Sequence, residues 1–256
     1  MPTRKYADVN GIKMYYEIHG KGQPLVLIHG GGSTIESNYG KILPLFAKRY
    51  KVIAVELQAH GHSSDRDAPE TFEQDADDVA SLLRHLDISK VNILGFSNGG
   101  STTLQIAMRY PGLVNKIVVA SAAYKREGFI PGFFDMMQHA NLENMPMPLQ
   151  ESYLKINNDR AALQNMHDKD AARMIAFKDW KDSDLQSIKA PTLIINGDKD
   201  VTLPEHALKM STLIPNAELL ILPATHGSFL AEACTAVPGS KLPEITVELV
   251  KEFLDK

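Results

Sequence analysis

Ser97 stands between two glycines, in Gly95-Phe96-Ser97-Asn98-Gly99, after the apolar run "VNIL" and before the helical run "STTLQIAMRY". A serine hydroxyl is a poor nucleophile unless a base takes its proton and a third group orients that base. Projecting it from a sharp strand-to-helix turn calls for neighbours without Cβ atoms. The helix that follows then turns its N–H groups and positive dipole end toward developing negative charge. Such a turn predicts an acid and a histidine further along, each just past a strand. Both are present: "PTLIINGDKD" delivers Asp198 and Asp200, and "AELLILPATHG" delivers His226. The order Ser…Asp…His is the one this arrangement uses, and spacing alone leaves either aspartate eligible.

Acyl transfer also needs donors for an oxyanion. His29-Gly30-Gly31-Gly32 follows the run "PLVLI" directly, and consecutive glycines let backbone N–H groups approach a ligand unobstructed. The expected donors are the amides of Gly31 and Asn98. A phosphate-binding turn is the competing account, but the chain has neither a Gly-Lys-Ser/Thr nor a G-x-G-x-x-G opening a helix. His60 and His62 could share one face as metal ligands. In a glycine-containing loop without nearby cysteine or clustered carboxylates, they read instead as loop histidines with local hydrogen bonds, and no metal is expected.

The elements that must position these groups alternate. "KYADVNGIKMYYEIHG" reads as a hairpin turning at Asn10-Gly11. Six short apolar runs follow, at 24–30, 50–57, 90–96, 115–121, 190–197 and 217–223, as expected of strands buried on both faces. Between them apolar residues recur at helical spacing, as in Phe72, Ala76, Val79, Ala80, Leu83 and Leu86, and again in Val247, Val250 and Leu254. This predicts an α/β domain: a mainly parallel eight-stranded sheet covered by helices on both faces.

One block departs from the alternation. From Tyr124 to Lys189 there is no buried-strand pattern, and Met136, Met137, Met145, Met147, Met166 and Met174 fall within it. A helical lid with an adaptable apolar lining is expected at 124–189, on a core of 1–123 and 190–256. Phe129, Phe133, Phe134, Phe177 and Trp180 each read as core of that lid, with some facing substrate.

Composition narrows the partners. Lys plus Arg is 27 and Asp plus Glu is 31, a net charge of −4 without a dense basic run, so nucleic acid is not expected. No apolar stretch suits a membrane span or a secretory leader, which points to a cytoplasmic protein acting on a small molecule. The single cysteine, Cys234, excludes an intramolecular disulfide. Oligomeric state is not readable.

Taken together, His29-Gly30-Gly31-Gly32, Gly95-x-Ser97-x-Gly99, Gly197-x-x-Asp200 and His226 resemble the serine α/β-hydrolase superfamily across the chain outside 124–189. "GFSNGG" and the short cap look most like small esterases, lactonases and cofactor-free haloperoxidase-like members. The resemblance implies the α/β-hydrolase fold with a helical cap insertion, a Ser97–His226–Asp200 triad (the Gly-x-x-Asp spacing selects Asp200 over Asp198, leaving Asp198 to local turn bonds) and no cofactor. It implies hydrolysis of an ester-type bond, and the Met- and Phe-rich composition of the lid points to a largely apolar substrate. Alternatives on the same triad are perhydrolysis or haloperoxidase-like chemistry, lactone opening and carbon–carbon hydrolysis. Dehalogenase and epoxide hydrolase relatives carry Asp where Ser97 stands. From another class, a non-catalytic ligand-binding protein would leave Ser97 unreactive. Two departures stand out. Glu56, Gln58 and Ala59 replace the family's usual Asp, Arg and Gly, and the stretch after His226 is long, which predicts a reshaped pocket rim.

Overall fold

The computed structural model describes residues 3–256. Its strands are β1 (Thr3–Val9), β2 (Ile12–His19), β3 (Pro24–Ile28), β4 (Lys51–Val55), β5 (Val91–Phe96), β6 (Val114–Ala120), β7 (Thr192–Lys199) and β8 (Ala217–Thr225). They form one eight-stranded sheet in the order β1-β2-β4-β3-β5-β6-β7-β8. The pairings β1/β2 and β2/β4 are antiparallel, and all the others are parallel. The hairpin turns at Asn10 and Gly11, both at positive φ (43° and 88°), as a two-residue turn matched to strand twist demands.

The helices are α1 (Ile35–Tyr39), α2 (Leu43–Phe46), α3 (Phe72–His85), α4 (Asn98–Arg109), α5 (Phe133–Gln138), α6 (Met147–Ile156), α7 (Arg160–Ile175), α8 (Asp182–Gln186), α9 (Pro204–Leu213) and α10 (Leu242–Asp255). Side chains alternate across each strand, so the sheet feeds two apolar layers. Val26, Ile28, Ile53 and Ile93 pack with Val79 and Leu83 of α3 and Leu104 of α4. Leu25, Leu27, Val52 and Leu94 pack with Tyr39, Phe46 and Val250 on the other side. This is why the parallel strands read as continuous apolar runs.

The order reverses between β3 and β5, which are neighbours although β4 lies between them in sequence. The loops leaving their carboxyl ends therefore flank one crevice, where open α/β sheets bind ligands. Between β6 and β7 the chain is helical. It packs through Leu142, Met145, Leu149, Tyr153, Leu163 and Met166 onto Ala59 in the loop after β4.

Candidate active site

Ser97 joins β5 to α4 at φ 54°, ψ −121°, a conformation that L residues adopt only at a cost of order 1–3 kcal/mol. Its two glycines are there for room. A methyl on Gly95 would lie 2.0 Å from the Gly99 carbonyl oxygen, and one on Gly99 would lie 2.2 Å from the Ile28 carbonyl oxygen. The turn closes onto both the next helix and the adjacent strand, so it admits no Cβ on either side.

The loops after β7 and β8 complete a hydrogen-bonded chain. His226 Nε2 lies 3.0 Å from Ser97 Oγ, and His226 Nδ1 lies 2.6 Å from Asp200 Oδ1. A proton on Nδ1 directed at the carboxylate leaves Nε2 free to accept from the serine. Asp200 is buried. Burial favours its neutral form, but hydrogen bonds from His226, the Ser121 hydroxyl and the Thr202 amide hold its pKa below the usual carboxylate value. Asp198 points elsewhere and accepts the Ala224 N–H at 2.8 Å, bracing β8 rather than a local turn. Ser121, at the end of β6 with φ 51°, escaped sequence reasoning. A serine closing a buried strand beside the crevice was the available signal.

The glycine loop after β3 is held from several sides. His29 Nε2 accepts the Leu57 N–H at 3.1 Å, so its proton sits on Nδ1, 2.7 Å from the Gly30 carbonyl. Complete burial, with the charge on His60 nearby, pushes the His29 pKa down to about 3, and the ring is a neutral tie. The Gly30 N–H donates to Asn38 Oδ1 at 2.8 Å, and the Gly32 N–H donates to Asp170 Oδ2 at 2.5 Å. Among the described residues, the amides of Gly31 and Asn98 find no protein acceptor. The Asn98 amide is an orphan of the first turn of α4.

These groups line a cavity of about 330 Å³, whose walls come from Phe129, Phe133, Met137, Met145, Leu149 and Met174. Phe177 and Trp180 instead pack against Phe72 in an aromatic cluster, and Met136 and Met147 are exposed. The long stretch after His226 does not shape the rim. Its Glu232 accepts from the Ser33 hydroxyl at 3.3 Å, and its Ala233 N–H donates to the Ser37 carbonyl at 2.8 Å, so it braces α1 while Phe229 and Leu230 enter the core. The substituted loop after β4 is self-consistent. Ala59 takes φ 62°, and Glu56 accepts from the backbone and the ring of His62 at 2.7 and 2.9 Å.

His60 makes the expected local bond, its Nδ1 lying 2.7 Å from the Gln58 carbonyl, and reaches a distant partner as well. It is fully buried and faces Asp170 of α7 at 3.0 Å across 110 positions, beside Arg173, Asp75 and Glu70. Burial opposes charge on the ring, yet the Asp170 carboxylate raises its pKa to about 9. Burial pushes Glu70 up to about 8 and Asp75 to about 6, against the pull of Arg173. Arg173 and His60 keep Asp170 well below the usual range despite its burial.

The first three folded values exceed the ordinary 6.5, 4.5 and 3.8, so the native state holds extra protons within each window. These three groups therefore lose stability as pH rises, with two windows overlapping at about 4.5–6 and again at about 6.5–8. The depressed values of buried His29 and His206 oppose the loss below 6.5, so the net fall is steepest between about 6.5 and 8. Each extra proton corresponds to ~1.4 kcal/mol per pH unit, or about 3–5 °C in Tm. Thermal melts across pH 5–9 check this, and His60→Gln should flatten the slope.

Among the described residues no cluster of three or more His, Cys, Asp or Glu could hold a metal, and no helix is long and apolar enough to cross a membrane.

With this geometry in place, comparison with known proteins defines the class. Residues 23–145 match the family model described as the alpha/beta hydrolase fold. The chain is 31% identical to the serine hydrolase BPHL of Homo sapiens over 86% of this chain and 79% of that one. It is 26% identical to the 2-hydroxy-6-oxo-6-(2'-aminophenyl)hexa-2,4-dienoic acid hydrolase of Metapseudomonas resinovorans, over 86% and 83%. Among solved structures, a serine hydrolase involved in carbazole degradation (CarC) superimposes with a TM-score of 0.81 at 24% identity, covering 100% of this chain and 99% of that one. This chain belongs to the α/β-hydrolase fold family, and its class is that of the hydrolases.

Proposed function

We propose that the protein is a serine hydrolase of ester-type bonds in small, neutral, largely apolar substrates. The observation that carries this reading is the Ser97–His226–Asp200 chain opening into an apolar cavity beside two free amides. Ser97 Oγ attacks the substrate carbonyl as His226 Nε2 takes its proton, and Asp200 stabilises the imidazolium. The negative charge that develops on the carbonyl oxygen is received by the N–H groups of Gly31 and Asn98. His226 then returns the proton to the departing alcohol, and water releases the acyl group by the same route. The helices of 124–189 act as the lid that excludes bulk water.

The cavity lining favours an ester over the carbon–carbon chemistry of an acidic substrate. Its ionisable groups among the described residues are Asp170, His167 and His226, with no Lys or Arg. A dienoic acid such as that named for one relative would bring a carboxylate without a fixed counter-charge.

The test combines an activated phosphonate with p-nitrophenyl esters of increasing acyl length. Stoichiometric labelling of Ser97 is expected, with turnover peaking at short to medium chains and falling beyond about eight carbons in a cavity of this size. A protein that takes no label and turns over no ester is a binding module, and the reading fails.

A further inference from the structure

One side-chain cluster outside the triad reaches the reacting centre. Asp170 lies on α7, in the helical insertion, yet its carboxylate bonds to both sides of the site. Oδ2 accepts the Gly32 N–H at 2.5 Å, and Oδ1 accepts Asn98 Nδ2 at 3.2 Å. Gly32 is next to Gly31, and Gly31 and Asn98 are the two cavity-lining residues whose amides have no protein acceptor. The Gly31 Cα is wedged between the same two groups. A methyl there would lie 2.6 Å from Asn98 Nδ2 and 3.0 Å from Asp170 Oδ2.

The glycine loop is thus pinned on either side of Gly31, by Asn38 at Gly30 and by Asp170 at Gly32. A bare carboxylate so near a forming oxyanion would oppose it. Here two cations offset the charge: Arg173 pairs with Oδ1, and His60 Nε2 meets Oδ2 at 3.0 Å. Because the charged His60 donates from Nε2, the Gly32 N–H has the carboxylate as its acceptor rather than the ring nitrogen 3.3 Å away.

We propose that Asp170 is a positioning residue for the oxyanion site: it joins the lid to the two segments that carry the Gly31 and Asn98 amides and sets the distance between them. This rests on the ester-hydrolase reading above. Asp170 need not touch the substrate to act. An ångström of misplacement in such a donor costs on the order of 10²-fold in rate, and loss of a donor outright costs roughly 10²–10³.

The experiment uses Asp170→Asn in the full chain, with active sites counted by phosphonate labelling, p-nitrophenyl ester kinetics per labelled site, and inhibition by a trifluoromethyl ketone. That ketone adds to Ser97 as a tetrahedral oxyanion and so reports the donors directly. The expected result is a loss in kcat of about 30- to 100-fold, KM within about threefold, and a matching loss of ketone affinity. A second variant, Asn98→Ala, cuts one arm while leaving Asp170 with Arg173, His60 and Gly32, so folding is preserved. It should lose kcat and ketone affinity in the same proportion, by about fivefold.

Two results overturn the proposal alone. One is Asp170→Asn retaining kcat and ketone affinity per labelled site within twofold. The other is a rise in KM that leaves the ketone unaffected. A wild-type protein that neither the phosphonate nor the ketone engages overturns the hydrolase reading together with this one.

Discussion

Ser97→Ala and Asp200→Asn should each lower ester turnover by roughly 10⁴-fold or more, with KM nearly unchanged and the fold intact. Alanine removes the proposed nucleophile outright. Asparagine is instructive because every lone pair of Asp200 that the structure uses faces a donor. Oδ1 meets His226 and the Thr202 amide, and Oδ2 meets Ser121 and the Gly197 amide at 3.4 Å. An NH2 group must displace one of these sets. In either orientation the negative charge that the proposed mechanism sets against the imidazolium is gone. Asp198→Asn is the matched control, since Asp198 serves only the β7–β8 contact; it should keep activity within about threefold. Steady-state kinetics on the ester preferred by wild type decide the matter. Equal losses at 198 and 200 would remove Asp200 from the assigned role.

The second large effect falls on stability. Arg173 is buried and bridges Asp170 on its own helix to Asp75 of α3 at 2.7 Å, with Glu70 at 3.6 Å and its plane over Phe72. Arg173→Met fills similar volume but strands carboxylates in a low-dielectric interior. Breaking a buried pair from one side costs about 3–5 kcal/mol, a fall in Tm of about 10–15 °C for a chain of this length. Adding Asp75→Leu should return part of that loss, because the uncompensated charge leaves with its partner; the two changes are then strongly non-additive. Chemical denaturation of the single and double variants measures this directly. Additivity would mean that the cluster does not act as a unit.

Much of the architecture was legible because local chemistry and global fold agree. Asn10-Gly11 could hardly be other than a tight turn, and strands buried on both faces must be apolar throughout. Gly95 and Gly99 advertised a crowded elbow, and the structure shows the two carbonyl oxygens that crowd it. What stayed hidden was pairing at long range. Nothing near His60 in sequence marks a partner 110 positions away, and Asp170 looks like one more acid on a polar helix. Ser121 was overlooked because a serine at a strand end has many uses, and only the position of Asp200 singles out one. The stretch after His226 misled by length: its residues fill the core and brace α1 rather than reach the cavity.

The bond between Gly32 and Asp170 has a further consequence, for inheritance. In chains built from a conserved core and a variable insertion, the insertion is treated as an interchangeable module that can be swapped to change what the core accepts. Here a backbone amide of the core is satisfied by a carboxylate of the module, and a buried acid of the core, Asp75, by the module's arginine. A chimera carrying a foreign insertion without both side chains would leave the Asp75 charge unpaired and hand the Gly32 N–H to the longer contact with the His60 ring, 3.3 Å away. Point changes among Phe133, Met137, Met145 and Met174, which line the cavity, leave both of these bonds in place, whereas exchange of the whole segment removes them.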